Sequence, residues 1–162
     1  MPDLMSHLLI ALIIAELFGI RKKSLVVFGA MAPDLLGKFH LIYFYLKLPP
    51  IISFISFHTP VICFLVSILI APLFNHNRFK TVLFFNIGAM TEFLSDLTMK
   101  HFTVQGTRLF FPFSKVNYSL GIIWPEDSIF ILIGCSLIYL IIKVFKKDIS
   151  IKSIKTMLKC QE

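Results

Sequence analysis

The sequence predicts an all-α integral membrane protein, a bundle of about five transmembrane helices with the second broken at Pro33-Gly37. Three observations carry that prediction. The chain of 162 residues is 57% hydrophobic, with a mean hydropathy of +0.84. Only 15% of its residues are charged, against roughly a quarter in soluble domains. The net charge of +7 sits mostly in short basic stretches that flank apolar runs. That placement suits anionic headgroups and membrane topology, so nucleic acid is not an expected partner.

The first span is His7 to Ile20, long enough only if Met5 and Ser6 join it. It has no basic leader and no small-residue cleavage site before Arg21-Lys22-Lys23, so it reads as a span and not as a secretory signal. The second runs from Leu25 to Leu48, interrupted by Ala32-Pro33-Asp34-Leu35-Leu36-Gly37-Lys38. Proline removes a helical hydrogen bond and glycine permits a bend, so two half-helices or a re-entrant piece are expected there. Broken backbone at membrane depth must be covered by protein or line a wet cavity. Pro49-Pro50 then punctuates. The third span is Ile51 to Phe74, the fourth Thr81 to Thr98, and the last about Ser128 to Val144. The chain thus divides into a transmembrane helical domain, 1–147, and a basic cytoplasmic tail, 148–162. Cys63, Cys135 and Cys160 have neither metal-site nor disulfide spacing.

Lys and Arg orient these spans. If Leu25 to Leu48 crosses once, Arg21-Lys22-Lys23, Arg78 with Lys80, and the Lys-rich tail all fall on one side, which should be cytoplasmic. Lys47, Lys100, Arg108 and Lys115 fall on the other. The expected topology has the N-terminus outside, five crossings and the tail inside. The protein is placed in the cell membrane.

Five ionisable residues stand in or beside the apolar runs: His7, Asp34, His58, Glu92 and Asp96. A charge buried in lipid is costly, and such residues usually face the protein interior and often mark function. The topology puts His7, His58 and Asp96 at the outer side. Glu92 lies one helical turn deeper on the face of Asp96, and Asp34 at intermediate depth. Each has a plainer reading: His58 as a hydrogen-bonded packing residue, Asp34 as a helix cap, Glu92 and Asp96 as unrelated acids. Two carboxylates a turn apart repel, however, and in low dielectric they need a shared proton, a basic partner or a cation. A divalent metal meets that need, with Zn²⁺ expected ahead of Mn²⁺ or Mg²⁺ because two histidines are available. Glu16 lies toward the inner end of the first span, away from this group, placed to snorkel or to meet a basic loop.

These residues carry a resemblance. Ser6-His7-Leu8-Leu9, Ala32-Pro33-Asp34, Phe57-His58-Thr59, the stretch Gly88 to Thr98 and the stretch Gly106 to Pro112 resemble, in order, the motifs of a family of membrane-bound predicted metal-dependent hydrolases typified by the LexA-regulated bacterial inner-membrane protein. The resemblance implies metal ligation by His7, Asp34, His58 and Asp96. The chain departs from the pattern at four places. Leu36 stands for a second Asp, Ser53 and Phe54 for a His and an Arg, and Glu92 for a His; the spacing from Asp96 to Gly106 is longer. Glu92 still suits a divalent ion, but the site becomes harder and more acidic, and one metal at most is expected.

The function these readings support is hydrolysis of a phosphoester in a lipid or lipid-linked substrate. Glu92 and Asp96 would be the catalytic carboxylates, Glu92 as ligand or general base, and Arg108 the headgroup contact. The alternative is a non-catalytic metal- or ion-binding membrane protein, transporter-like or a structural subunit. A broken helix with Asp34 at the break resembles a transporter ion site, and a homo-oligomer would supply the missing repeat.

Overall fold

The computed structural model describes residues 4–38, 45–46, 58–100, 107, 109–114 and 116–159, without side chains at 125 and 147–159. Among the described residues there are five α-helices and no strand: α1 Leu4–Leu17, α2 Lys23–Lys38, α3 Pro60–Ile70, α4 Arg78–Thr98 and α5 Ser128–Lys159.

Local chemistry sets the helix ends. Gly19 takes φ 62° just past α1, and the Ile20 N–H donates to the Ala15 carbonyl, the glycine-terminated cap that satisfies a last-turn carbonyl. Ile20 is thereby folded back onto Ala11, Ala15, Val26 and Ala30, one of two buried apolar clusters among the described residues. Pro60 opens α3 at a position where its missing N–H costs nothing. Asn77 caps α4, its side-chain oxygen accepting from the N–H groups of Phe79 and Lys80 at 3.0 and 3.3 Å. At the other end of α4, a later segment clasps the open carbonyls. Leu120 N–H donates to Leu97, and Ile122 and Ile123 both donate to Thr98.

The closest helix pair is α2 with α4. A Cβ added to Gly29 would stand 2.0 Å from the Phe85 carbonyl oxygen, and one added to Gly88 only 1.9 Å from that of Val26. Each helix therefore offers a glycine to the other's backbone, the small-residue device by which apolar helices approach closely. This crossing corrects the expectation of a break at Pro33-Gly37. Helix α2 runs through Pro33 to Lys38. The hydrogen bond that Pro33 forgoes is the one to Gly29, where α2 is pressed against α4, and surrounding protein holds the helix in place of that bond.

The prediction of about five spans meets five helices but is not fulfilled helix by helix. Among the described residues, only Ser128–Lys146 of α5 is long and apolar enough to cross a membrane: 19 residues, mean hydropathy 2.4, with no residue of it fully buried in the protein. The apolar helices Leu4–Leu17 and Pro60–Leu73 are shorter. The 14 residues of α1 rise about 21 Å, against a hydrocarbon core of about 30 Å. Helix α4 has 21 residues but carries Asn86, Glu92 and Asp96 inside it. Helix α5 continues unbroken to Lys159, so the start of the basic tail is its direct extension.

Candidate functional site

Helices α1 to α4 alternate in direction, so the start of α1, the end of α2, the start of α3 and the end of α4 come to one end of the bundle. His7 lies in the first turns of α1, Asp34 in the last turns of α2, His58 just before α3, and Glu92 and Asp96 in the last two turns of α4. The (i, i+4) spacing of Glu92 and Asp96 puts both on the face that packs inward.

His7, Glu92 and Asp96 are buried, and one ligand atom from each can be chosen so that all three lie within 4.8 Å of one another. His7 Nδ1 is 2.5 Å from Glu92 Oε2. The distance is that of an ion pair, yet neither atom has a hydrogen-bond partner. His7 Nε2, Glu92 Oε1, Asp96 Oδ1, Asp34 Oδ1 and the Ser6 hydroxyl are also buried without a partner. Each such group costs roughly 1–3 kcal/mol, and native interiors hold few of them. Their concentration at one place, with imidazole and carboxylate donors, is the chemistry that a divalent cation satisfies.

His58 joins through Asp96, its Nε2 2.9 Å from Oδ2, and its ring stands edge-on to Phe93 with centroids 5.3 Å apart. It retains some exposure, 13% of its side chain, and forms the rim. Gly37 lies beside it: a Cβ there would make ordinary contact, 3.8 Å from His58 Nδ1. Asp34 is buried and within Coulomb reach of Glu92, but its Oδ2 accepts from Lys38 Nζ at 3.2 Å. Of the five sequence-derived candidates, three converge, His58 attaches to them, and Asp34 stands beside them with a partner of its own. Arg108 lies outside the described residues, as do His40 and His101. His76 is in an exposed turn.

The structure also gives a physical account of one departure. Leu36, at the place of a second aspartate, packs on Cys63, Ala89 and Phe93 together with Leu109. Hydrocarbon fills the space where further ligands would stand. Sequence reasoning passed over the Ser6 hydroxyl and the Gly29–Gly88 contact. Their signals were adjacency to His7 and glycines four residues ahead of Pro33 and Glu92.

No curated protein and no solved structure matches the chain. The family model described as YdjM inner membrane protein matches residues 1–158. With nearly its whole length matched, and the motifs of one end gathered into one buried site, the chain belongs to the YdjM inner membrane protein family.

Proposed function

We propose that this inner membrane protein is a metal-dependent hydrolase acting on a phosphoester, in a lipid or lipid-linked substrate. The observation that carries the reading is the convergence of His7, Glu92 and Asp96 with buried lone pairs that no protein group takes up. His7, Glu92 and Asp96 would hold the ion, with His58 and Asp34 as further candidates. A divalent ion there, Zn²⁺ first and Mn²⁺ or Mg²⁺ next, supplies Lewis acidity and activates water at neutral pH. The protein's own part is to bury and orient. His58 steadies Asp96, the glycine crossing holds α2 against α4, and Glu92 is either a ligand or the base that takes a proton. Arg108 is proposed as the headgroup contact.

The proposed setting is five crossings, N-terminus outside and tail cytoplasmic. Its support is that Lys23, Lys143 and Lys146 gather at the end of the bundle opposite the site.

The test has two arms. Detergent-purified wild type should carry close to one equivalent of metal, and His58→Ala and Asp96→Ala much less; equal content in all three would refute the site. Wild type should release product from a panel of phospholipids and lipid phosphates. That activity should vanish with EDTA, return with Zn²⁺ or Mn²⁺, and be missing from Asp96→Ala. Metal binding without turnover across the panel would favour the second reading, a non-catalytic metal-binding membrane protein. The observation on that side is Leu36, packed in hydrocarbon where the resembled pattern has a ligand.

A further inference from the structure

A second charged cluster lies at the opposite end of the bundle, where α1 ends, α2 begins and the apolar part of α5 runs out. Glu16 is buried there, 4% exposed. Three ammonium groups close on it. Lys23 donates to Oε1, Lys143 Nζ lies 3.2 Å from Oε1, and Lys146 Nζ lies 3.2 Å from Oε2 and also donates to the Glu16 backbone carbonyl. One carboxylate against three ammoniums leaves a local charge of +2. Arg21, Lys22 and Lys147 add cations nearby in sequence and Asp148 one anion, so the excess remains. Cations held this close repel one another unless a further anion arrives. Their side chains are open to receive one, at 35%, 50% and 47% exposure for Lys23, Lys143 and Lys146.

The surroundings say which anion. The apolar window of α5 ends at Lys146. Beside the cluster, Leu17 and Phe18 are 64% and 78% exposed. Exposed hydrocarbon and an unbalanced basic pocket at one height mark the level where acyl chains give way to headgroups, and basic pockets between helices there take anionic lipids. We propose that Lys23, Lys143 and Lys146, splayed around Glu16, bind the phosphate of an anionic lipid headgroup in the leaflet at the basic end of the bundle. The site is independent of the hydrolase reading and shares no residue with it.

The test uses the full-length protein in a mild non-ionic detergent, titrated with phosphatidylglycerol or phosphatidylcholine of matched chains and read by native mass spectrometry. Wild type should prefer phosphatidylglycerol. Lys143→Gln with Lys146→Gln should lose roughly thirtyfold of that preference, and Lys143→Gln alone about fivefold. Lys143→Arg with Lys146→Arg should keep it. The two lipids are compared within each variant, so a general loss of stability cancels, and the half-exposed single variant stands in if the double does not fold. Lys80→Gln, an exposed cation in neither cluster, should leave the preference unchanged. Equal binding of both lipids by wild type, or a preference untouched by the glutamines, would overturn the proposal and leave the cluster as a staple between helices. Displacement of phosphatidylglycerol by millimolar inorganic phosphate would overturn the lipid assignment in favour of a soluble phosphate.

Discussion

At the scale of single residues, the pair His7 and Glu92 decides what the site is. An imidazole 2.5 Å from a fully buried carboxylate is either an ion pair sufficient to itself or two ligands of one cation. The two cases respond differently to a chelator. A bound ion stabilises the fold by about 2.7 kcal/mol when free metal stands at a hundred times its dissociation constant. EDTA should therefore lower the melting temperature of wild type and leave that of His7→Ala unmoved. A chelator without effect on wild type means a bare ion pair. In that case His7→Ala should cost about 3–5 kcal/mol by leaving Glu92 buried alone, measured by thermal unfolding in detergent.

At the scale of elements, the site depends on how near α2 comes to α4. Gly88→Ala would drive a Cβ to within 1.9 Å of the Val26 carbonyl oxygen, and a backbone atom cannot swing aside. Overpacking usually costs about 1–3 kcal/mol, and here the upper part of that range or beyond is expected, with metal content falling as the helices part. Gly37→Ala is the control. Its Cβ would meet His58 at ordinary contact distances of 3.7–3.8 Å, so its melting temperature should hold or rise slightly. If both variants melt alike, the crossing is not the clamp described here. Asn77→Ala, which removes the cap of α4, should cost about 1 kcal/mol in the same measurement without changing metal content, because the cap lies at the far end from the site.

At the scale of the whole molecule, α5 is the element that most needs a membrane. Residues such as Phe130, Ile133, Leu137, Ile141 and Val144 are exposed by half or more along one face, a contiguous apolar surface that water does not favour. Leu137→Arg should make insertion less favourable by about 3–4 kcal/mol, and Leu137→Val should not. A glycosylation reporter placed after Lys146 reads the difference, and equal insertion of the two would refute α5 as a span. A tag-accessibility map should put Arg21 and the tail on the same side. Opposite sides would refute the five-crossing topology.

The sequence by itself determined the class of this protein and the end of the bundle where its buried polar residues gather. Apolar runs, their punctuation and the placement of Lys and Arg are local properties of the chain. They suffice to predict helices and an apolar environment. Alternation of direction then brings His7, His58, Glu92 and Asp96 to one end without further information. The family, too, was readable from Ser6-His7, Pro33-Asp34, His58-Thr59 and the Glu92–Asp96 helix. What the sequence left open depends on how helices rotate and cross. Whether Pro33 breaks α2 is settled by pressure from α4 at Gly29 and Gly88, two positions far apart in the chain. That Asp34 turns to Lys38 is an (i, i+4) contact that follows once α2 stays helical, and Leu36 then fills the neighbouring space with hydrocarbon against Cys63, Ala89 and Phe93. Glu16 could be placed near a basic loop, and it meets Lys23 there, but its other two lysines come from a helix more than a hundred residues away. Hydropathy fixes which segments are helical and apolar. Only the backbone-to-backbone contact of α2 with α4, and the docking of α5 along α1, decide which polar atoms meet.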